Sequence, residues 1–509
     1  MKRECGMLLP VSSLPSRYGI GAFSKEAYRF IDQLKMAGQQ YWQILPLGPT
    51  GFGDSPYQAF SAFAGNPYYI DLEKLIEDGL LTRQECDCVD FGNNERDVDY
   101  EKLAQNRRPL LKKAYERWRQ LAIDTGVEGA QEKVEQYLRD ELHKETWNYC
   151  VFMAIKDDFE GKGWDQWDED IRTREPKALA AYEEKLQREI EFYAFQQMVF
   201  MHQWKKLKDY ANEQGIRIIG DIPIYVAFDG SDSWAHPELF QFDKDCKPVG
   251  VAGCPPDAFA VTGQLWGNPL YDWPYHKKTK YAWWMERMEY SFQLYDVVRV
   301  DHFRGFDEYY AIPAEDETAE FGKWEKGPGY DLFKTMKDKL GDLDIIAEDL
   351  GFLTPSVLEL VKKTGFPGMK ILEFAFDPSG ESSYLPHRYT RNCVVYTGTH
   401  DNMTLQGWYQ CLDGGAKWFA EQYLGNWRTP KEEIHWDFIR LALQSVARLC
   451  VIPVQDYLGY DNWARINEPS TMGKNWRWRM TSGDFNDGLL GRCRDMAKFY
   501  GRTGVEIEE

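Results

Sequence analysis

What most constrains this chain is an order of parts that recurs along it: a polar, amphipathic helical pattern, a stop glycine, then a short β-branched apolar run ending in polar residues. Gly38 precedes Tyr41–Leu47, Gly215 precedes Ile216–Pro223, Gly341 precedes Asp344–Leu350, and Gly365 precedes Met369–Phe374. Such βα alternation belongs to a parallel sheet. Four more runs have strand composition: Gly6–Pro10, Asp296–His302, Val394–Asp401 and Val451–Tyr457. Eight strands predict an α/β fold closed as a (β/α)8 TIM barrel rather than an open sheet.

Uneven spacing between the runs shows where insertions sit. The chain reads as one catalytic barrel over 1–509, with a helical insertion at 85–213 between the second and third strands. A loop-rich insertion at 229–290, crowded with Gly, Pro, Trp and Tyr, follows the third strand and is expected to roof the barrel mouth. The residues after the eighth run end in a helix-like tail, and a C-terminal β-sandwich does not fit there.

A formal charge of -20 repels phosphate backbones and anionic lipid, which argues against nucleic-acid and membrane-surface partners and for a neutral one. Met1–Pro10 has too few apolar residues for a secretory signal, and no stretch approaches a membrane span. The 10 cysteines lack the paired spacing of a zinc site and fit reduced cytoplasmic thiols. No cluster implies a metal or organic cofactor. The 19 Trp and 30 Tyr suit a sugar ligand, because sugar rings present apolar faces to flat side chains, although core packing uses the same residues.

In a barrel of this kind the chemistry lies at the C-terminal strand ends, so ionisable groups that close apolar runs are the candidates. Val298-Arg299-Val300-Asp301-His302 places Arg299 and Asp301 on one face, two apart. A guanidinium beside a carboxylate keeps it ionised, as a glycosyl nucleophile must be. A purely structural Arg–Asp pair reads the same way in this segment alone. Ala347-Glu348-Asp349-Leu350-Gly351 sets Glu348 after an apolar run, where partial burial raises a carboxyl pKa towards general acid/base use. Thr397-Gly398-Thr399-His400-Asp401-Asn402 presents a third carboxylate on a glycine-containing turn. Two carboxylates flanking a scissile bond meet the requirement of retaining glycosidase chemistry, and a third can hold ring hydroxyls in the distorted state. The chain carries no GxSxG elbow, HExxH or P-loop.

Other motifs sit in the same order after the expected strands: Ser13-Leu14-Pro15-Ser16 with Gly19-Ile20-Gly21, Asp54-Ser55-Pro56-Tyr57-Gln58, Gly220-Asp221-Ile222-Pro223, Pro255-Pro256-Asp257, and Gly263-Gln264-Leu265-Trp266-Gly267-Asn268-Pro269. With Arg299 to Gly305, Ala347 to Gly351 and Thr399 to Asn402, they resemble the amylomaltases, 4-α-glucanotransferases of glycoside hydrolase family 77 in the α-amylase clan, over nearly the whole chain. The resemblance implies Asp301 as nucleophile, Glu348 as general acid/base and Asp401 as transition-state stabiliser. It places Tyr57, Asp221, Arg299, His302 and His400 around the donor sugar, and Gln264 and Trp266 in the roof beside the acceptor path. Asn467 and Pro469 match a second loop over the cleft. One departure is Ala258, where some members carry an aromatic that covers the substrate.

The implied activity is transfer of α-1,4-glucan segments from a donor to an acceptor 4-hydroxyl or to glucose, through a covalent glycosyl-enzyme, with cyclic glucans as a further product. Maltooligosaccharides are the implied substrates. Motif chemistry alone does not separate transfer from hydrolysis, since water can resolve the same intermediate. An α-amylase-like hydrolase would ordinarily bring a C-terminal β domain. A non-catalytic glucan-binding protein would need the aromatics but not the three acids.

Overall fold

The computed structural model describes residues 2–51, 53–123, 130–256, 261–351, 353–426 and 428–504, without the side chains of 130–133. Asp257 and Ala258 of the roof motif lie outside the described residues.

Among the described residues twelve strands follow in order: β1 Glu4–Leu8, β2 Tyr41–Gln43, β3 Arg217–Ile222, β4 Gly250–Cys254, β5 Gln264–Pro269, β6 Val297–Val300, β7 Glu308–Pro313, β8 Lys323–Lys326, β9 Ile345–Ala347, β10 Gly368–Ile371, β11 Cys393–Tyr396 and β12 Leu449–Pro453. Eight of them close a barrel in the order β1-β12-β11-β10-β9-β6-β3-β2. Every rung is parallel, with β1 paired to β12 to shut the cylinder. All eight expected runs supply a strand; seven are shorter than their apolar pattern, because the polar tail of the run already turns into the mouth, while β1 starts two residues early and keeps its length.

Alternation along the strands builds two cores. Leu8, Tyr41, Ile219, Val297, Met369, Val394 and Val451 pack inside the cylinder. Their strand neighbours, such as Ile218, Val298 and Val300, face outward into a larger core shared with the helices. On β6 this puts Val297 and Arg299 inside and Val298 and Val300 outside. Gly220 on β3 is required by packing: a Cβ there would come within 2.1 Å of the Tyr295 ring.

Between β2 and β3 the chain forms a series of helices, the longest being Tyr100–Ile123 and Gln187–Glu213. Thr82 and Glu85 cap the short helix Arg83–Asp87 reciprocally. No helix of the described residues is long and apolar enough to cross a membrane. The stretch expected to be loop after β3 instead contributes β4 and β5 to a second, antiparallel sheet ordered β5-β4-β7-β8. Gly250, Gly253, Gly267 and Pro269 mask these strands in the sequence, and their partners β7 and β8 arrive only after β6.

Candidate active site

Each candidate acid lies just beyond a barrel strand, so the sheet fixes its main chain while its side chain meets the mouth. Asp301 follows β6, and its N–H donates to Ile222 O at 2.9 Å, one rung past the paired residues of β3 and β6. Arg299, on the inner face of β6, is the register partner of Asp221 on β3. Arg299 Nη1 donates to both Asp221 oxygens at 2.7 and 2.6 Å, while Nη2 lies 3.1 Å from Asp301 Oδ1. The Tyr57 hydroxyl donates to Asp221 Oδ2 at 2.8 Å. Asp221 is 0% exposed. From there it holds Arg299 and Tyr57, two of the groups expected around the donor sugar.

Burial and the neighbouring charges together set the charge of Asp301. Its side chain keeps 30% of its surface open, but the opening is a cleft walled by protein, where few waters solvate a carboxylate. Burial pushes Asp301 up to about 7; Arg299 opposes this, and the negative charges of Glu348, Asp221 and Asp401 add to the rise. Arg299 favours the ionised form, as its place beside Asp301 led one to expect, while burial opposes it and one guanidinium nitrogen is also committed to a second, fully buried carboxylate.

Beyond Asp301 the backbone turns sharply. His302 adopts φ 51°, ψ 47°, a left-handed conformation that costs a non-glycine residue about 1–3 kcal/mol. The turn aims the His302 N–H at Glu348 Oε2, 2.7 Å away, while Leu350 N–H donates to Oε1 at 2.8 Å. Glu348 is buried as expected, with both oxygens held by main chain. The His302 ring meets Trp266 edge-on, centroids 4.8 Å apart. Burial and Arg304 push this imidazole down to about 3, so it is neutral, and its buried Nε2 has no hydrogen-bond partner among the described residues.

Asp401 is held differently. Asn402 Oδ1 closes its turn by accepting from Thr399 N and Oγ1 at 2.9 and 2.8 Å. His400 Nε2 lies 3.2 Å from Asp401 Oδ2, Asn467 Nδ2 donates to Oδ1 at 2.6 Å, and Arg465 Nη2 donates to the Asp401 carbonyl at 2.7 Å. Burial alone would raise this carboxyl, but the ion pair with His400 and the Asn467 bond outweigh it and hold Asp401 down at about 2. His400 in turn is raised, burial opposing and Asp401 prevailing.

Aromatic rings floor the site. Tyr57 and His400 stack at 5.1 Å and 16°, with Trp476 against both at 5.9 and 5.8 Å. Trp266, within the loop-rich stretch expected to roof the mouth, stands on edge strand β5, half-buried, its Nε1 donating to Gln264 Oε1 at 3.1 Å. The structure thus brings together Asp301, Glu348, Asp401, Tyr57, Arg299, His302, His400, Asn467 and Trp266. Gln264 joins through Trp266, and Pro469 is exposed beyond Asn467.

Sequence reasoning missed Arg465, Trp476 and the brace behind the Asp401 turn. That brace is Asp456, just past β12, which accepts from Thr397 Oγ1 at 2.6 Å and Leu405 N at 2.8 Å. The strand-end rule that found the three acids also flags Asp456. Arg465 and Trp476 sit in a polar loop and leave no such sign.

A closed parallel barrel with three carboxylates, a buried arginine and stacked aromatic rings at its C-terminal mouth defines the class of barrel enzymes that work on glycosidic bonds. Residues 9–484 match the profile of glycoside hydrolase family 77, described as 4-alpha-glucanotransferase. The chain is 47% identical over 510 residues to a 4-alpha-glucanotransferase of Streptococcus pneumoniae, covering 99% of each. It is 46% identical to one of Clostridium butyricum, covering 97% of this chain and 99% of the relative. It superposes on the amylomaltase from Streptococcus agalactiae in complex with acarbose with a TM-score of 0.93 at 42% identity, over 98% of this chain and 100% of that one. The chain belongs to the 4-alpha-glucanotransferase family, enzymes that transfer segments of α-1,4-glucan.

Proposed function

We propose that the cleft transfers α-1,4-glucan by double displacement with retention. Asp301 attacks the anomeric carbon of the donor as Glu348 protonates the leaving 4-oxygen. Glu348 then takes the proton of the incoming acceptor 4-hydroxyl, which displaces Asp301. Asp401, kept charged by His400 and Asn467, faces the oxocarbenium-like state. Arg299 orients Asp301, Asp221 positions Arg299, and the His302 Nε2, without a partner among the described residues, suits a sugar hydroxyl. Tyr57 and His400 receive the sugar face, while Gln264 and Trp266 border the acceptor path. The observation that carries this reading is that the carboxylates following β6, β9 and β11 converge on one cleft beside Arg299.

Glucose and maltooligosaccharides are the acceptors, and an acceptor 4-hydroxyl on the same chain gives cyclic glucans. The enzyme works without a cofactor, and its substrates are neither nucleic acid nor membrane. A cytoplasmic location fits its free, largely buried cysteines, Cys5, Cys150 and Cys450 among them. We read residues 1–509 as a single catalytic barrel, with 85–213 as a helical subdomain and 229–290 as its cover.

Incubation with maltotriose tests the reading. Transfer releases glucose alongside a ladder of longer oligomers with the total of reducing ends constant. A rise in reducing ends matching bond cleavage would mean hydrolysis instead.

A further inference from the structure

Trp476 carries no charge, follows no strand and has no part in the steps above. Its surroundings give it one. The indole is 7% exposed and lies against both Tyr57 and His400. Tyr57 begins one chain of contacts, through Asp221 and Arg299 to Asp301. His400 begins the other, directly to Asp401. Trp476 is thus a side chain that touches the head of both.

Its own position is fixed from outside the barrel. The Trp476 N–H donates to Ile466 O at 2.7 Å, and its carbonyl accepts from the Tyr100 hydroxyl at 2.8 Å. Tyr100 opens the long helix Tyr100–Ile123. Arg477 pairs with Asp97 at 3.0 Å, and Val98 N–H donates to Arg477 O at 2.8 Å, so this loop is stapled to the chain entering that helix. The result holds Trp476 at φ 66°, a region a bulky residue occupies only when its surroundings over-determine it.

We propose that Trp476 is a positioning residue of the transfer reaction: its indole sets the Tyr57–His400 stack and, through it, the placing of Asp301 and Asp401 about one anomeric carbon. The proposal rests on the roles given above to those two acids. Trp476 is nearly buried and its ring lies about equally far from both members of the pair, so its loss should reach the rate through the placing of the acids, since displacement of reacting groups by an ångström can cost about 100-fold in rate.

The test measures kcat and KM separately for maltotriose disproportionation. W476L should lower kcat by about 10- to 100-fold with KM within about threefold of wild type. W476F, which keeps a ring in place, should restore kcat to within about fivefold of wild type. Combined with Y57F, W476L should cost less than the product of the single losses, because both act on one chain of contacts. A folded W476L with kcat within twofold of wild type, failure of W476F to restore kcat, or multiplicative losses in the double variant would overturn the proposal. Should W476L not fold, Y100F decides: loss of the tether predicts a kcat about threefold lower at unchanged KM, and an unchanged kcat overturns it. A wild type that gave no ladder would count against the transfer reading itself, not against Trp476.

Discussion

The ends of β6 and β11 offer the same side chain, aspartate, to the same cleft, yet the protein prepares the two in opposite ways. At β6, Asp301 has one counter-charge, Arg299, and shares it with buried Asp221. At β11, Asp401 has His400 beside it and the Asn467 amide and is held at about 2, against about 7 for Asp301. Burial pushes both carboxyls up, and the difference between them follows from whether each carboxylate has partners of its own. It also matches the proposed division of labour. Asp301 must surrender its charge when it forms an ester with the sugar, and a carboxylate already poor at holding charge does so more readily. Asp401 must stay negative throughout.

The largest effect that can break this comparison comes from removing each charge. D301N should lose at least about 1,000-fold in kcat, as expected for a nucleophile, and D401N about 100- to 1,000-fold, as expected for an electrostatic stabiliser. Their stabilities should move apart. Asp301 binds a proton more tightly folded than unfolded, so its ionisation erodes stability as pH rises from about 4 through about 7, and D301N should melt above wild type at pH 8. Asp401 is depressed, so its ionised form stabilises the fold at any pH above its unfolded value, and D401N should melt below wild type. Melting points that shift in the same direction would remove the contrast.

A smaller effect sharpens it. Protonated Asp301 cannot attack, so kcat/KM should fall as pH drops through about 7, while Asp401 adds no limb until about 2. Lowering the demand on Arg299 with D221N should move that limb to lower pH, since Arg299 would then serve Asp301 alone. A limb unmoved by D221N would show that sharing is not the cause.

The smallest expected effect lies in the cover. W266A should leave bond cleavage largely intact and weaken acceptor stacking by about 1–3 kcal/mol, roughly 5- to 150-fold in acceptor affinity. The ratio of reducing ends gained to glucose released from maltotriose would then rise. An unchanged ratio would assign Trp266 to packing against His302.

Legibility followed the same divide between local and shared features. The eight barrel strands could be read because stop glycines and β-branched runs are local signals, and Asp301, Glu348 and Asp401 because each closes such a run. The β5-β4-β7-β8 sheet could not, since β4 and β5 carry glycine and β4 pairs with β7 across the intervening β6. Arg299 beside Asp301 was visible from alternation alone. That Arg299 also serves Asp221 depends on the β3–β6 register, which only the closed barrel sets. Trp476 depends on three loops meeting.

In the proposed mechanism Asp301 forms the covalent bond to the sugar. The direct measurement is to incubate E348Q with α-maltotriosyl fluoride, whose leaving group needs no proton, and to locate the trapped adduct by peptide mass spectrometry. A maltotriosyl ester on Asp301 is the expected result. An adduct on Asp401, or none while fluoride is released at the rate of turnover, would contradict it.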